Sequence, residues 1–155
     1  MLSENIKISK LYSGAADAVD CDVVNMENFI SGSFVVIHTG SADGDLTLSL
    51  YEASSIAPSN AQAITTAVPL AVDTDMGIAS DTLVAQTAAY SYVINTTGAG
   101  DRNQMVCFDV DPAILSAGFP CVYLADSGGH GSNNVVILFI GQPKYKSASL
   151  PTALA

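Results

Sequence analysis

The chain of 155 residues fits one domain, and its net charge of −10 comes from 15 acidic against 5 basic residues, 12 of the acids being Asp. A hydrophobic fraction of 49% with only 13% charged residues excludes intrinsic disorder, which needs low hydrophobicity and abundant charge. The acidic balance repels phosphates and argues against a nucleic-acid partner. The longest apolar run, Val135 to Ile140, is too short to cross a membrane as a helix.

In chain order, the opening MLSENIKISK lacks an apolar centre and is not read as a signal peptide. Ile6 to Leu11 alternates Ile6 and Ile8 with Lys7 and Ser9, a pattern expected of an edge strand blunted by lysine. Phe29 to His38 is a longer apolar strand, and Ser31-Gly32-Ser33 inside it predicts a bulge or bend. The clearest period of two is Asp45 to Glu52, where Leu46, Leu48 and Leu50 alternate with Asp45, Thr47 and Ser49. Ala63 to Val68 reads as a strand stopped by Pro69, Thr82 to Gln86 as a short one, and Tyr90 to Asn95 as another.

Met105 to Val110 is apolar at almost every position, so both of its faces are expected to be covered. Asp111 to Gly118 predicts a short helix near 112–117, with Asp at the cap, Pro in the first turn and Gly at the end. Cys121 to Ala125 and Asn134 to Gln142 complete eight or nine strands, separated by turn signals at 41–44, 97–101 and 127–131. Short strands so punctuated belong to an all-β sandwich or barrel. One domain over 1–146, with an N-terminal strand or arm over 1–12, is followed by a C-terminal arm over 147–155.

Few residues look like chemistry. His38 closes an apolar strand and reads as a half-buried strand-end residue, and His130 lies in Ser127-Gly128-Gly129-His130-Gly131, read as a flexible tip. Asp73-Thr74-Asp75-Met76-Gly77 begins like a calcium loop but lacks its third acid and its final Glu, where Val84 stands. Asp109 and Asp111 flank Val110 and form a second weak calcium candidate, although Asp111 also serves as a helix cap. Gly98-Ala99-Gly100-Asp101-Arg102 has no Lys-Ser/Thr after it and is not a phosphate loop. Cys21, Cys107 and Cys121 have no metal spacing and read as free, buried thiols. Carboxylate catalysis and sugar binding both lack the usual aromatic cleft, since the chain has no Trp and 6 Tyr. No catalytic residue, cofactor or metal is therefore assigned, and the chain is read as no enzyme.

Charge is unevenly spread. Lys7 and Lys10 lie near one end and Lys144 and Lys146 near the other, whereas Arg102 is the single base between them. Such ends are expected to lie against an acidic surface, of their own body or of a neighbouring copy.

Two stretches resemble the small structural proteins encoded among tailed-phage head genes. One is Met105 to Ala125, with Leu115 and Gly118 between its strands, followed by Asn134 to Lys146 with Gly141-Gln142-Pro143-Lys144-Tyr145 at the strand end. The other is the hairpin Phe34 to Ser54, ending in Glu52-Ala53-Ser54. The resemblance implies an antiparallel β-sandwich, jelly-roll-like, acting as a head decoration (cement) protein on the capsid surface of the virion. Its implied partners are the major capsid protein and copies of itself, a trimer favoured, with no nucleic acid and no membrane. Such a protein is made in the host cytoplasm and is not secreted. Lys7, Lys10, Lys144, Tyr145, Lys146, Leu150, Pro151 and Leu154 are then the expected contact residues in the arms. A tail or neck component and a glycan- or ligand-binding sandwich are the alternatives.

Overall fold

The computed structural model describes residues 5–40, 42–58, 60–76, 82–97 and 103–145. Their strands are β1 (Lys7–Ala15), β2 (Val24–Asn25), β3 (Phe29–Thr39), β4 (Leu46–Ala53), β5 (Gln62–Ala63), β6 (Val68–Asp73), β7 (Val84–Ala89), β8 (Ser91–Ile94), β9 (Gln104–Val110), β10 (Cys121–Gly128) and β11 (Asn134–Pro143). A six-stranded sheet has the order β1-β11-β3-β9-β6-β7, and a second sheet has the order β2-β10-β4-β5, with β8 also paired to β4. Every ladder is antiparallel.

The connectivity defines the frame. Successive strands β1, β2, β3 and β4 alternate between the two sheets, and so do β8, β9, β10 and β11. This gives two four-stranded sheets, β1-β11-β3-β9 and β2-β10-β4-β8, the interleaving of an eight-stranded jelly roll. The segment β5–β7 is inserted between β4 and β8. Its hairpin β6–β7 widens the first sheet, and β5 continues the edge that β8 forms on β4.

Period-two patterning places one apolar core between the sheets. Phe34 and Val36 of β3, Leu46, Leu48 and Leu50 of β4, Val106 and Phe108 of β9, Leu124 of β10, and Val135, Ile137 and Phe139 of β11 are all buried in it. Each such side chain contributes about 1.5–3 kcal/mol by leaving water. Phe139 is the centre of an aromatic cluster, with Phe29 edge-on at 5.2 Å between ring centroids and Phe34 at 5.5 Å. Room for it is made by Gly32 and Gly141, which face each other across β3 and β11. A methyl group on Gly141 would meet both the Phe139 and Phe29 rings, at 2.6 Å from Phe29 Cδ1.

Several expectations are corrected. The hairpin expected over Phe34 to Ser54 does not form, since β3 and β4 lie in different sheets and do not pair. The predicted helix is a single 3-10 turn, Pro112–Ile114, although Asp111 caps it as expected, accepting from Ala113 N at 2.8 Å. Leu115 already has extended backbone, so the chain leaves the helix before Gly118. Pro69 does not stop a strand but lies inside β6. There the register to β7 shifts between Val68 and Leu70, and pairing to β9 begins only at Leu70, so no ladder needs the missing proline N–H. The irregularity expected at Ser31-Gly32-Ser33 falls at Ile30, skipped between Ser31↔Gln142 and Phe29↔Pro143 and half exposed as a result. Among the described residues eleven strands are found rather than eight or nine, the two-residue β2 and β5 being too short for a periodic signal.

Gly141→Ala is expected to destabilise the fold by about 1–3 kcal/mol, the usual result of overpacking a close-packed core. Urea unfolding followed by circular dichroism measures this, and an unchanged midpoint would show that the aromatic cluster can shift aside.

Candidate functional site

Three places bear on function: the loop end of the sandwich, a buried carboxylate near its other end, and the two outer sheet faces.

At the loop end, Asn133 is buried and holds two segments together. Its Oδ1 accepts from Ala42 N at 3.0 Å, its Nδ2 donates to Ala42 O at 2.9 Å, and its backbone oxygen accepts from Ala16 N at 2.9 Å. Thr96, also buried, accepts from Gly44 N at 2.7 Å through Oγ1, while its own N–H donates to Asp45 Oδ1 at 2.9 Å. The loop 127–131 is consequently not a free tip. Gly128 and Gly129 have φ of +84° and +89°, and Gly129 N donates to Asp45 O at 2.8 Å. A side chain on Gly129 would collide with the Ala16 carbonyl. His130 is exposed and its Nδ1 accepts from Ser132 N at 3.0 Å, which makes it part of the turn.

His38 is fully buried, not half-buried, because β9 and β11 flank it on both sides opposite Gln104 and Val135. Its place is the top layer of the core beside Gln104, whose Nε2 donates to Asn95 O at 2.8 Å.

Near the opposite end, Glu52 of β4 is buried on the inner face opposite Val122. Its carboxylate accepts from Gln62 Nε2 at 2.6 Å and from Ser116 N at 2.8 Å, tying β4 to β5 and to the loop after the 3-10 turn. Burial alone would raise its pKa, but the hydrogen bonds from Ser116 and Gln62 outweigh it and hold the carboxyl below its ordinary value of 4.5. Sequence reading missed this residue, since one Glu at a strand end carries no pattern.

The calcium candidates are separately engaged. Asp73 is buried and accepts from Asp75 N at 3.0 Å, Asp109 accepts from Ser33 Oγ at 2.5 Å, and Asp111 caps the 3-10 turn. Among the described residues, no group of three His, Cys, Asp or Glu side chains is placed to hold a metal. Gly98 to Arg102 lie outside the described residues, as do Lys146, Leu150, Pro151 and Leu154 of the C-terminal arm. The other arm residues are placed. Lys7 and Lys10 are on edge strand β1, Lys144 Nζ donates to Glu27 O at 2.6 Å, and Tyr145 is 77% exposed.

The two outer faces differ in chemistry. On the sheet containing β4, Thr47, Ser49 and Tyr51 face Ser127, Ala125 and Tyr123 of β10, and Ser49 Oγ donates to Ser91 Oγ at 2.9 Å. The Tyr51 and Tyr123 rings lie 5.7 Å apart, tilted by 38°. That face is rich in hydroxyls. Directly opposed residues of an antiparallel ladder share a face, so the outer rows of the six-stranded sheet follow from its register. One row is Ile8, Ile140, Ser33 and Asp109; the next is Lys10, Leu138, Val35, Cys107, Ala71 and Ala85; the third is Ser13, Val136, Ile37, Met105 and Asp73. This face is mostly aliphatic.

The expectation that β9 is covered on both sides therefore fails for the described residues. Val106, Phe108 and Val110 are buried, whereas Met105 and Cys107 are partly exposed because the second sheet covers one face only. The three cysteines are free thiols, and only Cys21 and Cys121 are buried. Burial pushes the Cys21 thiol up to about 12, and burial and then Asp109 raise that of Cys107.

Hollows on the surface are open ones. One of about 280 Å³ lies between Met26, Leu115, Phe119, Pro120 and Lys144, and one of about 340 Å³ lies between Ser33, Pro69, Asp109 and Ile114. No helix among the described residues is long and apolar enough to cross a membrane.

The chain matches no protein-family model and no curated protein by sequence. Among solved structures it is similar to the SPBc2 prophage-derived protein YomS, with 14% identity and a TM-score of 0.47 over 88% of this chain and 92% of that one. It is similar to the CBM22-1–GH10 modules of the Clostridium thermocellum endo-1,4-β-D-xylanase 10B, solved with xylohexaose, with 8% identity and a TM-score of 0.36; the match covers 97% of this chain and 28% of the xylanase chain. The turnip yellow mosaic virus structure is similar at 6% identity and a TM-score of 0.21, over 92% of this chain and 82% of that one.

The Glu52 site gives a pH prediction. Its folded pKa is lowered, so its contribution to stability is present above about pH 4.5 and is lost as pH falls through the lower folded value. Glu52→Gln removes this titration. Its urea midpoint is expected to fall less than that of the wild type between about pH 6 and pH 3, and parallel losses in both proteins would assign the acid sensitivity to other carboxylates.

Proposed function

We propose that this chain is a non-enzymatic structural protein of a tailed-phage virion, a decoration or cement protein that binds the major capsid protein lattice and stabilises the head. One observation carries the reading. The stretches that resemble head proteins, 34–54 and 105–125 with 134–146, fall on β3, β4, β9, β10 and β11, five of the eight strands of the jelly-roll frame. The resemblance thus falls on connected elements of one framework rather than on scattered segments.

The physical character of the molecule fits such a role. A cement protein must be a stiff block, because it is loaded at its contacts while the shell it joins is under stress. Here the loop end is fastened by Asn133 and Thr96 and the other end by Glu52. Lattice binding uses faces, edges and arms rather than a cleft. Lys7, Lys10, Lys144 and Tyr145 lie at the chain ends, where the arm residues Lys146, Leu150, Pro151 and Leu154 continue. In this reading the arms contact the major capsid protein or a neighbouring copy, and the protein resides on the virion surface.

Deleting residues 147–155 is expected to lower occupancy on shells of the major capsid protein by about tenfold, the equivalent of one apolar anchor of about 1.4 kcal/mol. The melting temperature of the body should not change. Undiminished occupancy, measured by co-sedimentation and electron microscopy of the shells, would reject the arm's role; no binding by the intact chain would reject decoration itself.

A second reading is favoured by the Tyr51–Tyr123 pair among the hydroxyls of the other outer face, since aromatic rings on a flat sheet can stack on sugars. Glycan-array binding that Tyr123→Ala abolishes would support a glycan-binding module, and an array without signal for the wild type would dismiss it.

A further inference from the structure

β9 and β11 are apolar on both faces, yet the second sheet covers only one face of each. Ile140, Leu138, Val136, Val35, Ile37, Met105 and the Cys107 side chain form the centre of the uncovered face, and all are partly exposed. Strand sequences of this kind belong to sheets packed on both sides. Ile8, at the β1 margin of the same face, is 61% exposed. A contiguous apolar patch of this kind, of the size of the largest patch on a typical monomer, is often functional.

We propose that a second copy of this chain packs on this face, sheet against sheet, about a twofold axis parallel to the strands. Charge selects the occupant. The chain carries 15 acids against 5 bases, so two copies repel each other over most of their surfaces. This face is where that repulsion is weakest: its exposed charged residues are Lys10, on β1, and Asp109, on β9, while Asp73, at the β6 margin, is buried. A twofold axis lying between β11 and β3 sets β1 of one copy over β9 of the other. The lysine of each copy then approaches the aspartate of its partner, one pleat row away, within a lysine's reach. The face complements itself, as a twofold contact requires.

Size sets the strength. The four overlaid strands at ~4.8 Å spacing and three rows at ~6.8 Å give about 390 Å² per copy, or roughly 780 Å² for the pair. That lies below the size of stable specific interfaces, at about 1,000–1,200 Å², so the contact is a weak one that forms at high protein concentration. Aligned sandwiches pack ~10 Å apart at about 30°, a geometry that leaves both hydroxyl-rich faces of the pair outward.

The inference concerns the purified chain alone and does not rest on the virion reading. Sedimentation equilibrium over about 30 µM to 2 mM is expected to show the mass rising from one copy toward two. Cys107 lies in the centre of the contact, whereas Cys21 and Cys121 are buried in the protomer. Its reaction with DTNB is therefore expected to slow about fivefold across the same range. Leu138→Glu should hold the mass at one copy and keep Cys107 reactive. Thr47→Glu, on the opposite face, should leave association unchanged. A single-copy mass at the highest concentration, a mass of three copies, or a Cys107 rate independent of concentration would overturn the proposal. Should Leu138→Glu fail to fold, the wild-type mass and thiol rate decide alone. Shell binding by a chain that stays monomeric would reject this interface and leave the virion reading standing.

Discussion

A strand has two faces, and a two-sheet sandwich covers only one of each; that constraint governs this molecule. Between the sheets the requirement is met in full. Phe29, Phe34, Phe108 and Phe139 are completely buried, and Gly32 and Gly141 leave the Phe139 ring the volume it occupies. Outside, the two sheets part company. The sheet built on β4 presents Ser, Thr and Tyr, which water solvates at little cost, whereas the sheet built on β3, β9 and β11 presents Val, Ile, Leu and Met. The same jelly-roll frame thus has one finished face and one that gains by being covered.

Polar groups inside the body fasten the ends of the sandwich and leave its middle dry. Asn133 and Thr96 join the segments at one end, and Glu52 joins β5 and the 3-10 turn to β4 near the other. A buried donor or acceptor left unmade costs about 1–3 kcal/mol, so these contacts resist opening of the loops more strongly than the ordinary net value of a hydrogen bond would indicate. The glycines of the loop 127–131 serve the same end. Gly129 lets the backbone come close to Ala16, a position closed to any side chain. Rigidity is therefore distributed over the whole length of the block.

Much of the frame was legible because alternation is strong wherever one face is buried. β4 and β11 fall within one or two residues of their predicted bounds, and β9 begins one residue early. Legibility failed where tertiary context overrides the local signal. Pro69 reads as a stop, yet a register shift tolerates it. Asp111, Pro112 and Gly118 read as helix punctuation, but three residues suffice to turn the chain toward β10. Gly-rich 127–131 looks mobile in sequence, because the carbonyls that its glycines approach belong to residues some eighty or more positions away. His38 looked like a strand end, since nothing local announces that β9 and β11 enclose it. Glu52 was invisible as a buried carboxylate for the same reason: its donors, Gln62 and Ser116, come from other elements.

The charge distribution has a related explanation. Of the aspartates in the described residues, Asp73, Asp109 and Asp126 lie on strands, while Asp17, Asp20, Asp22, Asp43, Asp45, Asp75 and Asp111 lie in connections. Turns favour Asp because its carboxylate accepts backbone N–H groups, as Asp45 and Asp111 do here. Acid is thereby moved off the sheet faces and concentrated at the ends, especially where Asp17 and Asp45 meet the loop 127–131. A strongly acidic chain can in this way keep an almost uncharged face. In the proposed twofold contact, repulsion acts at the ends and association at the face, so the two do not compete. Turn chemistry supplies that separation without a single specialised residue.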